Sequence, residues 1–304
     1  MAARMVRSHL RLGWVLALTI VAASCSTPPP PFAQLSGLIL DTRLADLSGL
    51  AASHVHADTL WALDDGGNAP QLFAIGTRGG VQATFRVAGV ANTDWEDLSS
   101  FNLDHRHYLL IADTGDNGGL RKTLQLHVVE EPLALADGTL RPAWSIAFRW
   151  PDGPRDCEAV AVDAAHGQVL LISKRRRPPE VFALPLRPHG RGLQVARRIG
   201  WLSGMPQPDP ETLRDDPAQA RTRDHVTAAD LSPDGRTLAV LTYRSVLFYQ
   251  RRGSATWTAA LAHRPRIHAL TWLPQAEALS WAADGRGLYA SGEHSPAPLL
   301  YLNP

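Results

Sequence analysis

Asp94-Trp95-Glu96-Asp97-Leu98-Ser99-Ser100-Phe101, DWEDLSSF, opens as a charged turn and closes as a buried strand, and a near-repeat, DCEAVAVD, occupies residues 156–163. Three further segments superpose on this pair: ADLSGLAAS (45–53), DHVTAADLS (224–232) and PQAEALSWA (274–282). Each is followed by a second apolar run, TLWALDDGG, YLLIADTGDN, VLLISKRR, TLAVLTYR or GLYASGEHS, and then by a third, QLFAIG, LQLHVVEE, VFALPL, VLFYQ or LLYL. Fourth runs, ATFRVAG, SIAFRW and ARRIGWL, close the first three units. Short apolar runs separated by Gly, Pro, Asn and Asp, with no long segment of helical period, predict an all-β chain.

Four strands per unit, repeated at a spacing of about 50–70 residues, predict a β-propeller of five four-stranded blades. The last unit ends after its third strand, and SGLILDTRL at 36–44 offers the missing one, so an N-terminal strand is expected to complete the last blade and close the ring. SPDG (232–235) and AADG (282–285) supply turns between first and second strands. The competing architecture is a β-sandwich with a second domain.

Residues 1–24 read as a signal peptide: Arg4, Arg7 and Arg11 precede the apolar run Trp14–Ala23, which is short for a bilayer span. Ala22-Ala23-Ser24-Cys25 resembles the bacterial lipobox, which implies diacylation of Cys25. Residues 25–35, with four consecutive prolines, then form a stiff tether, and 36–304 a single propeller domain anchored to a membrane of the bacterial envelope and facing periplasm or exterior. Only Cys25 and Cys157 are present, so acylation of the first leaves no intramolecular disulfide. Without the three leader arginines, 27 basic residues stand against 29 acidic ones, which excludes a nucleic-acid footprint.

The superposed segments pair polar residues two apart at the start of each innermost strand: Asp46 with Ser48, Asp94 with Glu96, Asp156 with Glu158, His225 with Thr227, and Gln275 with Glu277. The loops leaving the second strands carry Asp64, Asp65, Asp113, Asp116, Asn117, Lys174, Tyr243 and Glu293. Propeller geometry brings both sets to one mouth of the central channel. The expected ligand-binding residues are Asp46, Asp64, Asp94, Glu96, Asp113, Asp156, Glu158, Lys174, Glu277 and Glu293.

Crowded carboxylates raise one another's pKa unless a cation sits among them, and hard oxygen donors suit calcium, with Asp113, Asp116, Glu96 and Glu158 as the expected ligands. The bland alternative is that these acids bond to backbone amides and fasten blade to blade. DTGDNGG (113–119) resembles a calcium loop but lacks the spacing of an EF-hand. Lys174 lies in SKRRR, which reads first as a solvated basic turn. Two His-x-His pairs, His54/His56 and His105/His107, read as solvated turn residues on the opposite face. Cys157, flanked by acids, points into blade packing and is no nucleophile. The insertion Ser203–Asp224 emerges on the acidic face as a lid or a surface excursion.

The repeated units, the DWED and DTGDN pairing and the SPDG turns resemble bacterial extracytoplasmic propellers of the broad YncE, NHL and phytase-like group, over most of residues 36–304. That group holds enzymes and binders alike, so the resemblance implies the fold and leaves two functions open. One is a lipid-anchored protein binding a small molecule or protein partner at an acidic mouth. The other is a calcium-assisted hydrolase of a phosphate ester or lactone, with Glu96, Glu158 or Glu277 activating water and Lys174 assisting.

Overall fold

The computed structural model describes residues 31–304 apart from His189, Arg191, Asp209, Thr271 and Trp272; the segment read as a signal peptide, Cys25 and most of the stretch read as a tether lie outside the described residues. The chain folds as a five-bladed β-propeller. Blade 1 runs from the channel outward through Leu47–Ala52, Thr59–Asp64, Gln71–Gly76 and Val81–Val87. Blade 2 uses Trp95–Leu103, Arg106–Asp113, Leu124–Glu130 and Pro142–Arg149. Blade 3 uses Cys157–Asp163, Gln168–Ser173, Glu180–Pro185 and Arg197–Trp201. Blade 4 uses Val226–Leu231, Thr237–Thr242, Ser245–Gln250 and Arg266–Ala269. Blade 5 joins Ala276–Trp281, Leu288–Gly292 and Ala297–Leu302 to the N-terminal strand Ala33–Ile39, which pairs antiparallel with Ala297–Leu302 and closes the ring. That closing strand starts at Ala33, inside the stretch read as tether, and ends before Thr42–Leu44, which form a 3₁₀ turn.

The innermost strands explain the architecture. They are short, rich in Ala, Leu and Val, and buried along nearly their whole length, because each is flanked by a neighbouring blade as well as by its own sheet. Apolar clusters fill the junctions between successive blades: Phe101, Phe148 and Phe182 lie at the junction of blades 2 and 3, and Trp61 and Trp95 at that of 1 and 2. The turns SPDG and AADG sit where expected, with Gly235 and Gly285 at φ of 68° and 67°, a conformation that glycine adopts without strain.

Two short parallel strands, Gly138–Leu140 and Gln194–Val195, add a fifth strand to the edges of blades 1 and 2. They cover edges that would otherwise invite pairing with another chain. The insertion after blade 3 contains two short helices, Pro210–Asp215 and Pro217–Thr222. Among the described residues no helix is long and apolar enough to cross a membrane.

Candidate functional site: a bulge in every blade

Each innermost strand shifts register by one residue against its partner at the same point: between Leu47 and Gly49, Trp95 and Asp97, Cys157 and Ala159, Val226 and Ala228, and Ala276 and Ala278. The skipped residues are Ser48, Glu96, Glu158, Thr227 and Glu277. A bulge leaves its extra residue out of the ladder and re-aims the side chain. Strict alternation therefore does not hold here, and the bulged position has two uses.

Where the side chain is short, it crosses to the next blade: Ser48 Oγ donates to the Trp95 carbonyl (3.1 Å) and Thr227 Oγ1 to the Ala276 carbonyl (2.7 Å). Where it is glutamate, it reaches loop residues around the channel mouth. Carboxylate oxygens of Asp65, Asp94 and Glu96 lie within 4.8 Å of one another, and so do those of Glu96, Asp156 and Glu158.

The two triads share Glu96 but differ in charge. In the second, Lys174 Nζ bonds to Glu158, and Arg175 Nε lies 3.1 Å from Asp156. Lys174 is buried against the ring of Tyr243, 5.4 Å from its centroid. Burial opposes its charge, but Glu158 and Glu277 outweigh burial and hold the ammonium pKa above its ordinary value. The Tyr243 hydroxyl donates to Glu277 (2.8 Å). Lys174 is thus a member of the mouth and not a solvated turn residue; it is drawn in because the strand Gln168–Ser173 ends beside the bulged glutamate, where a buried carboxylate needs a cation. The three arginines of SKRRR remain exposed, as a basic turn should be, and only Lys174 is drawn inward.

Among the described residues no cation is ion-paired with the first triad; Lys174 and Arg121 act on it only from a distance. Glu96 is 4 % exposed and its Oε1 is buried with no hydrogen-bond partner. Burial, then Glu158 and Asp65, hold its carboxyl well above the usual carboxylate range. Burial and Asp65 likewise raise Asp94 to about 6, and burial raises Asp65. Glycines let the chain close around these oxygens: a Cβ on Gly115 would overlap Glu96 Oε1 and the Asp94 carboxylate, and one on Gly66 would overlap Asp94 Oδ1. DTGDNGG therefore packs directly against the first triad, with Thr114 and Gly115 amides both donating to the Asp94 carbonyl (3.1 and 3.2 Å).

The other expected site residues occupy the rim or are otherwise engaged. Asp113 is paired with Arg121 (2.6 Å) and accepts from the Asp94 amide, so it stands outside both triads. Asp116 Oδ1 accepts from the amides of Leu120 and Arg121, while its Oδ2 is buried without a partner. Asp64 is buried and raised to about 7 by burial and then by Asp46. Asp46 accepts from Asn68 (3.4 Å), and Glu293 from Gln275 (2.9 Å). Glu277 is raised to about 7 by burial, against the pull of Lys174.

Asp97, the third acid of DWED, does not join the mouth. It is fully buried and accepts from the amides of Leu98 (2.8 Å), Val160 (2.8 Å) and Ala229 (3.3 Å), tying blades 2, 3 and 4. Asp230 does the same for blades 4 and 5 through the Trp281 amide (2.8 Å). Sequence reasoning passed over both; their signal is an acid one place beyond the bulge in blade 2, and inside an apolar strand in blade 4.

Cys157 is buried in blade packing, and burial pushes its thiol up to about 12, as expected of an inert cysteine. Of the histidine pairs, His105 is exposed as a solvated turn residue should be, whereas the other three are half-buried. The His54 ring stacks on His107 at 6.1 Å, and His56 Nε2 meets the Pro132 carbonyl at 2.8 Å. The loops of blades 1 and 2 are close enough on that face to cover these three in part.

No protein-family model matches the chain, and no curated protein matches it. Among solved structures, it is similar to a chain in the crystal structure of a nidogen/laminin complex, at 13 % identity over 81 % of this chain and 72 % of that one, with a TM-score of 0.44.

Proposed function

We propose that the protein is an envelope-anchored binding propeller whose channel mouth holds a calcium ion between Asp65, Asp94 and Glu96 and presents it to a ligand or partner. The propeller fold is consistent with a binding role in general. The observation that carries the finer reading is the buried, unpartnered Glu96 Oε1 within a triad that forms no ion pair among the described residues, Lys174 and Arg121 acting on it only from a distance. Two Ca–O bonds of about 2.4 Å span the separation of these oxygens, and the donors are hard carboxylates. The adjoining triad is already served by Lys174 and Arg175, so the metal site lies toward blade 1, with Asp65 and Asp94 in place of the expected Asp113 and Asp116. When bound, the ion supplies positive charge and open coordination positions at the channel mouth. Cys25, resembling a lipobox cysteine, is the proposed lipidation site and fixes the domain to the membrane. Metal analysis of protein purified without chelator tests the cation: calcium bound to wild type and lost in Asp94→Asn supports the reading, and its absence from wild type removes it. Incorporation of labelled palmitate that persists in Cys25→Ser would remove the anchor.

Calcium-assisted hydrolysis of a phosphate ester or lactone keeps one observation in its favour. Of the three glutamates expected to activate water, Glu158 is bound by Lys174 and Glu277 by Tyr243, whereas Glu96 keeps a buried oxygen with no partner. Turnover of such esters that is abolished in Glu96→Gln, with the fold intact, would replace the binding reading by this one.

A further inference from the structure

A second feature of the same face belongs to blades 3 and 4 and does not depend on the cation. His225 leads into the innermost strand of blade 4. Burial lowers its pKa, and Lys174, Arg177 and Arg175 lower it further, to about 4, so the ring is neutral at physiological pH and sits in a strongly positive field. Two clefts, of about 560 and 860 Å³, open on either side of the wall formed by His225 and Lys174. The smaller holds Arg177 beside Met205 and Trp201, and the buried acid Asp224 answers that charge. The larger holds Arg244, whose guanidinium has no ion pair among the described residues.

Among the described residues the larger cleft is lined by Lys174, Arg175, Arg223 and Arg244 and by no carboxylate, a combination that a plain cation site does not need. Lys174 is already engaged with Glu158, and Arg177 donates to the Arg221 carbonyl, but Arg244 brings a charge that the fold leaves uncompensated. Guanidinium groups present planar, paired donors suited to carboxylate, sulfonate or phosphate. Leu270, Leu273 and Pro274 give this mostly polar cleft one apolar wall, against which the body of a small organic molecule can lie.

We propose that the larger cleft, at the junction of blades 3 and 4, binds an amphipathic oxyanion, its charged group at the His225 wall within reach of Arg244 and its apolar body along Leu273 and Pro274. The helix Pro217–Thr222 contributes Gln219 and Thr222 to the larger cleft, so the insertion after blade 3 forms part of the site's rim.

The test is calorimetric titration of the full chain, in EDTA to keep calcium out, with naphthalene-2-sulfonate, 2-naphthoate and 2-naphthyl phosphate, and with the uncharged 2-naphthylmethanol. The anions are expected to bind at least about tenfold more tightly than the alcohol, the rank among them giving the preferred oxyanion. A charge-assisted hydrogen bond corresponds to about tenfold or more in affinity, so Arg244→Gln and His225→Ala should each weaken the anions by about that factor. Leu273→Ala should weaken anions and alcohol together. Arg244→Lys, which retains the charge but loses the fork, serves if the glutamine variant fails to fold, and should weaken the anions severalfold. Equal binding of anions and alcohol, or anion affinity unchanged in both Arg244 and His225 variants, would overturn the proposal. Failure of calcium to bind would leave it standing.

Discussion

Glu96→Gln is expected to change stability in opposite directions with and without calcium. In calcium-free protein the Glu96 carboxyl is buried, has an unpartnered oxygen, and faces Asp65, Asp94 and Glu158. Leaving a buried polar group unsatisfied costs about 1–3 kcal/mol, more for a charged one. A neutral amide of the same shape removes the repulsion, so the variant should be more stable than wild type by about 1–2 kcal/mol. For a protein of this size 1 kcal/mol moves the midpoint by roughly 2–4 °C, so the variant melts a few degrees higher. With calcium at a hundred times its dissociation constant, wild type gains about 2.7 kcal/mol by mass action. The variant, having lost a ligand, gains little, and the order of melting temperatures inverts. Thermal unfolding followed by circular dichroism, with calcium and with EDTA, reads both effects. A wild-type midpoint indifferent to calcium, or a variant less stable than wild type in EDTA, would refute the reasoning.

Four other outcomes follow from the same geometry. Asp94 at about 6 and Glu277 at about 7 are raised above their unfolded values, so the stability they contribute is complete below pH 4 and is lost as pH rises toward 7. In EDTA the melting temperature should therefore fall from pH 5 to 7.5, while the increment from calcium grows over the same range; a pH-independent increment contradicts this. Lys174→Met strands Glu158 and Glu277 and should cost about 3–5 kcal/mol in chemical denaturation, with Glu158→Gln restoring much of it in the double variant. Asp97→Ala leaves the Val160 and Ala229 amides unpaired and should cost about 3 kcal/mol or more, whereas Asp97→Asn keeps an acceptor and should cost clearly less; equal losses would deny the fastening role. Gly115→Ala should abolish calcium binding measured by calorimetry while leaving a folded protein, because the added methyl overlaps the Glu96 and Asp94 oxygens.

The ring was legible because propeller blades repeat one pattern, and burial on both sides writes it in apolar residues, as in DCEAVAVD and DHVTAADLS. Closure by the N-terminal strand was legible for the same reason, since the last unit was one strand short. The parallel strands Gly138–Leu140 and Gln194–Val195 were not, being three and two residues long, too short to show any period. Nor was the bulge: skipping one residue leaves the apolar runs on either side unchanged, and only the register of pairing reveals it. That single feature decides which acids meet. It sends Glu96 and Glu158 to loop carboxylates and leaves Asp97, one place on, sealed between blades. Lys174 carried two readings, a mouth residue and a solvated turn; the second fails because its side chain is drawn in by a carboxylate sixteen positions earlier on the neighbouring strand, Glu158. Asp113 and Asp116 look like ligands in DTGDNGG, yet Arg121, a few residues on, takes the first and backbone amides take one oxygen of the second.

The most direct measurement is an anomalous difference map from crystals of the protein soaked in a lanthanide, an ion that binds calcium sites and scatters strongly. A peak among the carboxylates of Asp65, Asp94 and Glu96, absent from crystals of Glu96→Gln, is the predicted result. Peaks only at surface acids, with none at the channel mouth, would contradict the account.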